Sequence, residues 1–93
     1  MEPIRFRGQI RFWNPGKASG LAVADVPPEH VPTLGGLRQQ RVRGILGGAA
    51  FASNVMPAGG GRLALSVSKA MMSAAGAGIG DEVAIEIGAV GRD

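Results

Sequence analysis

Ninety-three residues with sixteen Gly, six Pro, four aromatics, one His and no Cys, and ten basic against seven acidic side chains for a formal charge of +3, describe one small domain spanning 1–93. A chain this short buries only about 60–65% of its unfolded surface, so two domains are excluded, the core is thin, and there is room for a homodimer. Without cysteine there are no disulfides, thiolate zinc sites or cysteine nucleophiles; one histidine cannot build a multi-histidine metal site, and no pattern calls for a metal or a cofactor.

No window of about 18 apolar residues exists, and Met1-Glu2-Pro3-Ile4-Arg5 lacks the apolar stretch of a signal peptide. The expected location is therefore the cytoplasm, with no membrane partner.

The first run, Ile4 to Trp13, alternates. Ile4, Phe6, Ile10 and Phe12 face one way and Arg5, Arg7, Gln9 and Arg11 the other, as in a half-buried strand with a basic outer face. Asn14-Pro15-Gly16-Lys17 is turn chemistry, so a hairpin to a second strand over Gly20 to Val26 is expected. Pro27-Pro28-Glu29-His30-Val31-Pro32 cannot continue a ladder and reads as a loop with a helical turn near 28–34.

Arg41 to Leu46 forms a third strand in which Arg41 and Arg43 share a face with Ile45, opposite Val42, Gly44 and Leu46. Gly47-Gly48 supports a tight reversal into Ala49 to Met56, where Phe51, Ser53 and Val55 share a face. The glycine-rich Pro57 to Gly61 leads to Arg62 to Val67, with Leu63, Leu65 and Val67 inward.

Ser68 as N-cap, good helix formers from Lys69 to Ala75 and a closing Gly76 predict a two-turn helix over about 68–76. After a Gly80-Asp81 turn, Glu82 to Ile87 alternates with Val83, Ile85 and Ile87 buried and both glutamates exposed. The sum is an all-β fold of six or seven short antiparallel strands with one short helix. A meander this small closes most easily as a barrel, because closure removes unpaired edges.

The charge is uneven: seven Lys or Arg against three acids up to Gly47, three against four beyond it. Most of the basic residues are arginine, suited to bidentate contact with carboxylate or phosphate. Arg5, Arg7 and Arg11 on one strand and Arg41 and Arg43 on another would form a basic surface if those strands pair, with Trp13 as a stacking platform. Parity alone leaves open a solvated outer wall, a binding face, or a barrel mouth receiving a small anion. Trp13, Arg41, Arg43, Phe51 and Arg62 are the candidate ligand-binding residues at one mouth, and Arg5, Arg7 and Arg11 the candidate basic face.

Gly59-Gly60-Gly61-Arg62 lacks the helix that a phosphate loop requires and reads as a hairpin turn. Asp25, Glu29 and His30 form the only acid–imidazole cluster, but no nucleophile lies near them in sequence, so no catalytic residue is assigned.

The ordered set Phe6-Arg7-Gly8, Leu21-Ala22-Val23 with the Pro27-Pro28 loop, Val42-Arg43-Gly44 with Gly47-Gly48 and Phe51, Met56-Pro57 with the glycine turn, and Lys69 with Gly80-Asp81-Glu82-Val83 resembles the bacterial family catalogued as domain of unknown function DUF1905. That resemblance covers nearly the whole chain. It implies a small closed β-barrel, found alone or fused to a YdeI/OmpD-associated domain, with no established catalytic residues. The sequence departs from the family pattern at Gly16-Lys17-Ala18-Ser19-Gly20, where aromatics are common.

The second half, Leu65-Ser66-Val67-Ser68-Lys69 followed by a helix and Gly80 to Ile85, resembles more weakly the swapped-hairpin barrels of AbrB, MazE and SpoVT regulators, which dimerise and bind DNA. The expected function is non-enzymatic binding of a small molecule or protein partner at a barrel mouth. The alternatives are an AbrB-like nucleic-acid-binding regulator and a small barrel enzyme.

Overall fold

Period-two alternation, broken by glycine and proline, sets where each strand starts and stops. A computed structural model describes residues 3–13 and 21–89. The elements run β1 (Ile4–Phe12), β2 (Ala22–Val26), 3-10 turns at Pro28–His30 and Pro32–Leu34, β3 (Gln40–Leu46), β4 (Ala49–Gly59), β5 (Arg62–Val67), α1 (Lys69–Ala75) and β6 (Glu82–Ala89). The turn at Asn14 to Lys17 and the departure at Gly16 to Gly20 lie outside the described residues.

The strands close into an antiparallel barrel in the order β1-β2-β5-β4-β3-β6. This is the expected fold class, but the strand order is not that of a simple meander. β1 pairs with β2 as expected, and β3, β4 and β5 follow one another as neighbours, but β2 pairs with β5 and β6 inserts between β3 and β1. Two connections make this possible. The stretch from Pro27 to Gln39 carries the chain from β2 to β3, and α1 carries it from β5 to β6.

Both hairpins of the β3–β4–β5 meander turn on two glycines. Gly47 and Gly48 have φ of 57° and 89° between the paired Leu46 and Ala49. Positive φ at both central residues is what a turn matching strand twist requires, and side chains with a Cβ resist it. Gly60 and Gly61 repeat the device, which fixes this segment as a turn. β4 is longer than expected because Pro57 sits at a register shift rather than ending the strand; a bulge is where a sheet tolerates a residue with no N–H.

Inward residues fill the barrel. Ile10, Ala24, Val26, Val42, Leu46, Val55, Leu63, Leu65, Ile85 and Ile87 belong to one apolar cluster. At a depth where each large side chain contributes about 1.5–3 kcal/mol, this packing is the main stabilising term. Val31, between the two 3-10 turns, and Leu34 of the second close one end of the barrel, with the Gln40 side-chain amide donating to the Leu34 carbonyl.

Toward the other end, α1 adds Met71 to the core. Its N-cap is Ser68, whose hydroxyl accepts the Met71 N–H at 3.1 Å, and its C-cap is Gly76 in the left-handed region. The parity expected for β1 holds except at Phe12, which sits at the strand end and is 43% exposed. Among the described residues no helix is long and apolar enough to cross a membrane.

Candidate functional site

The insertion of β6 decides what becomes of the arginines. β1 and β3 do not pair; each pairs with β6, so the two arginine-bearing strands are separated by one carrying Glu82 and Glu86. Arg5 lies opposite Glu86, and its Nε donates to Glu86 Oε1 at 3.0 Å. Arg7 reaches Glu82 Oε1 at 3.3 Å. On the far side of β6, Glu86 faces Ile45, which in turn faces Ala50 on β4. One row of the outer wall therefore reads Arg5, Glu86, Ile45, Ala50. The next reads Gly88, Arg43, Ala52.

Small side chains at Ala84, Ala50 and Ala52 leave the wall recessed between longer neighbours. One groove, of about 380 Å³, is lined by Arg5, Phe6, Arg7, Ile45, Gly48, Ala84, Ile85 and Glu86. A second, of about 590 Å³, is lined by Arg43, Gly44, Ile45, Ala50, Phe51, Ala52 and Glu86. The two share Ile45 and Glu86, so they adjoin across four strands. Ile45 is 43% exposed where they meet, and Arg43 has no acidic partner among the described residues.

The wall formed by β1, β2 and β5 is different. Arg11 holds Asp25 with two parallel hydrogen bonds, Nε to Oδ2 at 2.8 Å and Nη2 to Oδ1 at 2.9 Å. This paired geometry is the stronger form of the interaction. It lowers the Asp25 carboxyl below its ordinary value; partial burial opposes the shift, and the Arg11 and Arg62 charges assist it. The same contact raises the Arg11 guanidinium. Val23 and Ala64 are fully buried on this wall although they lie outside the core cluster.

The residues singled out from the sequence are dispersed. Arg43 and Phe51 meet in the larger groove, with Phe51 also packing against the core. Arg41 is exposed on β3, opposite Asn54. Trp13 follows the end of β1 that is level with Ala22 and Val67, whereas Arg62 begins β5 at the opposite end, beside Gly59. Trp13 and Arg62 thus do not share a mouth. Nor do Arg5, Arg7 and Arg11 make one basic face, since Arg11 points to β2 and Asp25 while Arg5 and Arg7 pair with β6.

Asp25, Glu29 and His30 do not converge. Asp25 is held by Arg11, Glu29 is exposed, and the His30 ring lies 6.1 Å from Phe6. Among the groove residues not singled out from the sequence are Ile45, Ala50, Ala52, Ala84 and Glu86. The signal for Ile45 was its shared parity with Arg41 and Arg43, an aliphatic side chain where the pattern demands a polar one.

Residues 6–87 match the family described as domain of unknown function (DUF1905). The chain belongs to this family. The matched DUF1905 region runs from β1 into β6 and takes in both grooves apart from Arg5. No curated protein and no solved structure matches the chain. The DUF1905 assignment carries no role, which is left to the geometry of the surface.

Proposed function

We propose that this DUF1905 domain is a non-enzymatic binding module that recognises a protein partner through the outer wall of β1, β6, β3 and β4. The observation that carries the reading is Ile45, left exposed at the junction of two grooves on a wall otherwise floored by alanine and glycine. Among the described residues Phe12, Leu21, Leu37 and Ile79 are comparably exposed, and what sets Ile45 apart is its place in the lining of both grooves, an apolar floor rimmed by charge.

Shape favours a protein over a small molecule. Small-molecule sites bury most of their ligand in a concavity, whereas these grooves lie open on the barrel's outside and its interior is occupied by side chains. Glu82 and Glu86 occupy Arg7 and Arg5 on this wall, which leaves too few free guanidinium groups to track a nucleic-acid backbone. An acid–base reaction finds no convergent pair in Asp25, Glu29 and His30.

The test is a thermal-shift screen against short peptides, small anionic and aromatic compounds and duplex DNA, at low and physiological salt, on the native protein and on Ile45→Asp. Peptide hits that raise the melting temperature of the native protein and are lost in Ile45→Asp support the reading. Hits that bind Ile45→Asp equally well, or stabilisation by DNA alone that salt abolishes, sink it.

A further inference from the structure

We infer that the partner presents an acidic residue beside an aliphatic one on an extended segment, the acid engaging Arg43 and the aliphatic side chain covering Ile45. This rests on the reading that the β1–β6–β3–β4 wall is a binding face, and it adds the chemistry of what binds there.

Closure of the barrel is the first constraint. Across the β1–β6–β3–β4 wall each strand is paired with its neighbour, so this face offers a partner no edge to extend and recognition there goes through side chains. The wall offers two things. The first is an apolar strip made by Ala84, Ile45, Ala50 and Ala52 that runs across the strands from β6 to β4. Strands lie about 4.8 Å apart, so the grooves together span roughly 14 Å from β1 to β4, the length of four or five extended residues.

The second is an excess of positive charge. Arg5 and Arg7 are matched by Glu86 and Glu82, while Arg43 and, two residues along the same strand, Arg41 make no ion pair with any described residue. The local balance is therefore positive, and an unpaired guanidinium beside an apolar floor selects a carboxylate next to an aliphatic group.

The same balance decides against a second copy of the chain. Two such walls brought face to face would oppose arginine with arginine, and no surplus of acid on the wall exists to relieve it. Glu86 sharpens the choice further. It lies between the two grooves and is held by Arg5, so it repels an acid centred on their junction and steers the partner's carboxylate toward Arg43 on the β3–β4 side.

The experiment is selection of a displayed library of random twelve-residue peptides on the folded domain, followed by affinity measurement of synthetic winners at low and physiological salt. The expected result is enrichment of Asp or Glu within two positions of Leu, Ile or Val, with affinity falling about tenfold or more in both Arg43→Glu and Ile45→Asp. Arg43→Lys should recover only part of the loss, and Lys69→Glu, the same charge change on α1 at a residue that lines neither groove, should have little effect. Melting curves of each variant confirm that it folds.

Winners that need Ile45 but carry no acid, and that ignore Arg43→Glu, would overturn the inference and leave the binding face standing. Winners indifferent to both Ile45 and Arg43 would remove both. Concentration-dependent dimerisation that Ile45→Asp abolishes would replace the acidic partner with a second copy.

Discussion

Two walls of the barrel are built from the same ingredients, arginine and acid set across neighbouring strands, and they end differently. On the β1–β2–β5 wall, Arg11 and Asp25 make a two-bond contact with about one-third of each side chain exposed, and Val23 and Ala64 are sealed from solvent. On the β1–β6–β3–β4 wall, Arg5 and Arg7 make single long-armed contacts, and Ile45 stays exposed. The arginine–acid pairs alone do not explain the contrast. Alanine and glycine at positions 48, 50, 52, 84 and 88 leave the second wall without side chains tall enough to cover an isoleucine, so one wall is sealed and the other open.

The comparison is sharpest where the open wall is rigid beneath. Gly44 of β3 faces the β6 backbone, and a methyl group there would overlap the Glu86 carbonyl oxygen. Gly44→Ala is expected to cost at least about 3 kcal/mol or to prevent folding, because the obstacle is backbone and cannot rotate away. Chemical denaturation of the purified variant checks it. Retention of native stability would mean that the β3–β6 contact is looser than described.

Next in size is the same substitution on the two walls. Val23→Asp places a carboxylate at a fully buried site and is expected to cost about 3 kcal/mol, whereas Ile45→Asp is expected to change stability by less than about 1 kcal/mol. Equal losses in urea titrations would erase the distinction between sealed and open walls.

The ion pairs rank below this. Arg11→Ala is expected to cost about 1 kcal/mol, and Arg5→Ala or Arg7→Ala no more than about 0.5 kcal/mol, since exposed single contacts are screened by water. A pH series separates the two classes. Because Asp25 has a lowered folded pKa, its contribution is fully present above the ordinary carboxylate value near 4 and is lost as pH falls from there through the folded value. Asp25→Asn should therefore flatten the acid limb of the stability curve without altering its slope above about pH 5. An unchanged acid limb would show that Asp25 is not coupled to folding through Arg11.

Much of this architecture was readable before any coordinates. The inward sets of β3, β5 and β6, the capping of α1 by Ser68 and Gly76, and the glycine reversals follow from local rules of periodicity, hydrogen bonding and φ preference. Strand order did not follow, because it depends on which strand the chain reaches after crossing the barrel in the Pro27–Gln39 and α1 connections. That single unknown scattered the expected site. With β6 between β1 and β3, Glu82 stays exposed as expected and Glu86 is half-buried, and they become partners of Arg7 and Arg5. Arg43 and Phe51 remain together because they lie on adjacent, hairpin-linked strands, the one relation that short-range sequence secures. Trp13 and Arg62 fall apart because their strands run so as to place them at opposite ends.

The most direct test of the open wall as the binding face is a two-dimensional amide NMR titration of the domain with a pool of short acidic, aliphatic-containing peptides. The expected result is a contiguous set of shifts at Arg5, Arg7, Arg43, Ile45, Ala50, Ala52 and Ala84, with Arg11, Val23 and Asp25 unmoved. Shifts centred on the Arg11–Asp25 wall or around Trp13, with the Ile45 region silent, would contradict the account.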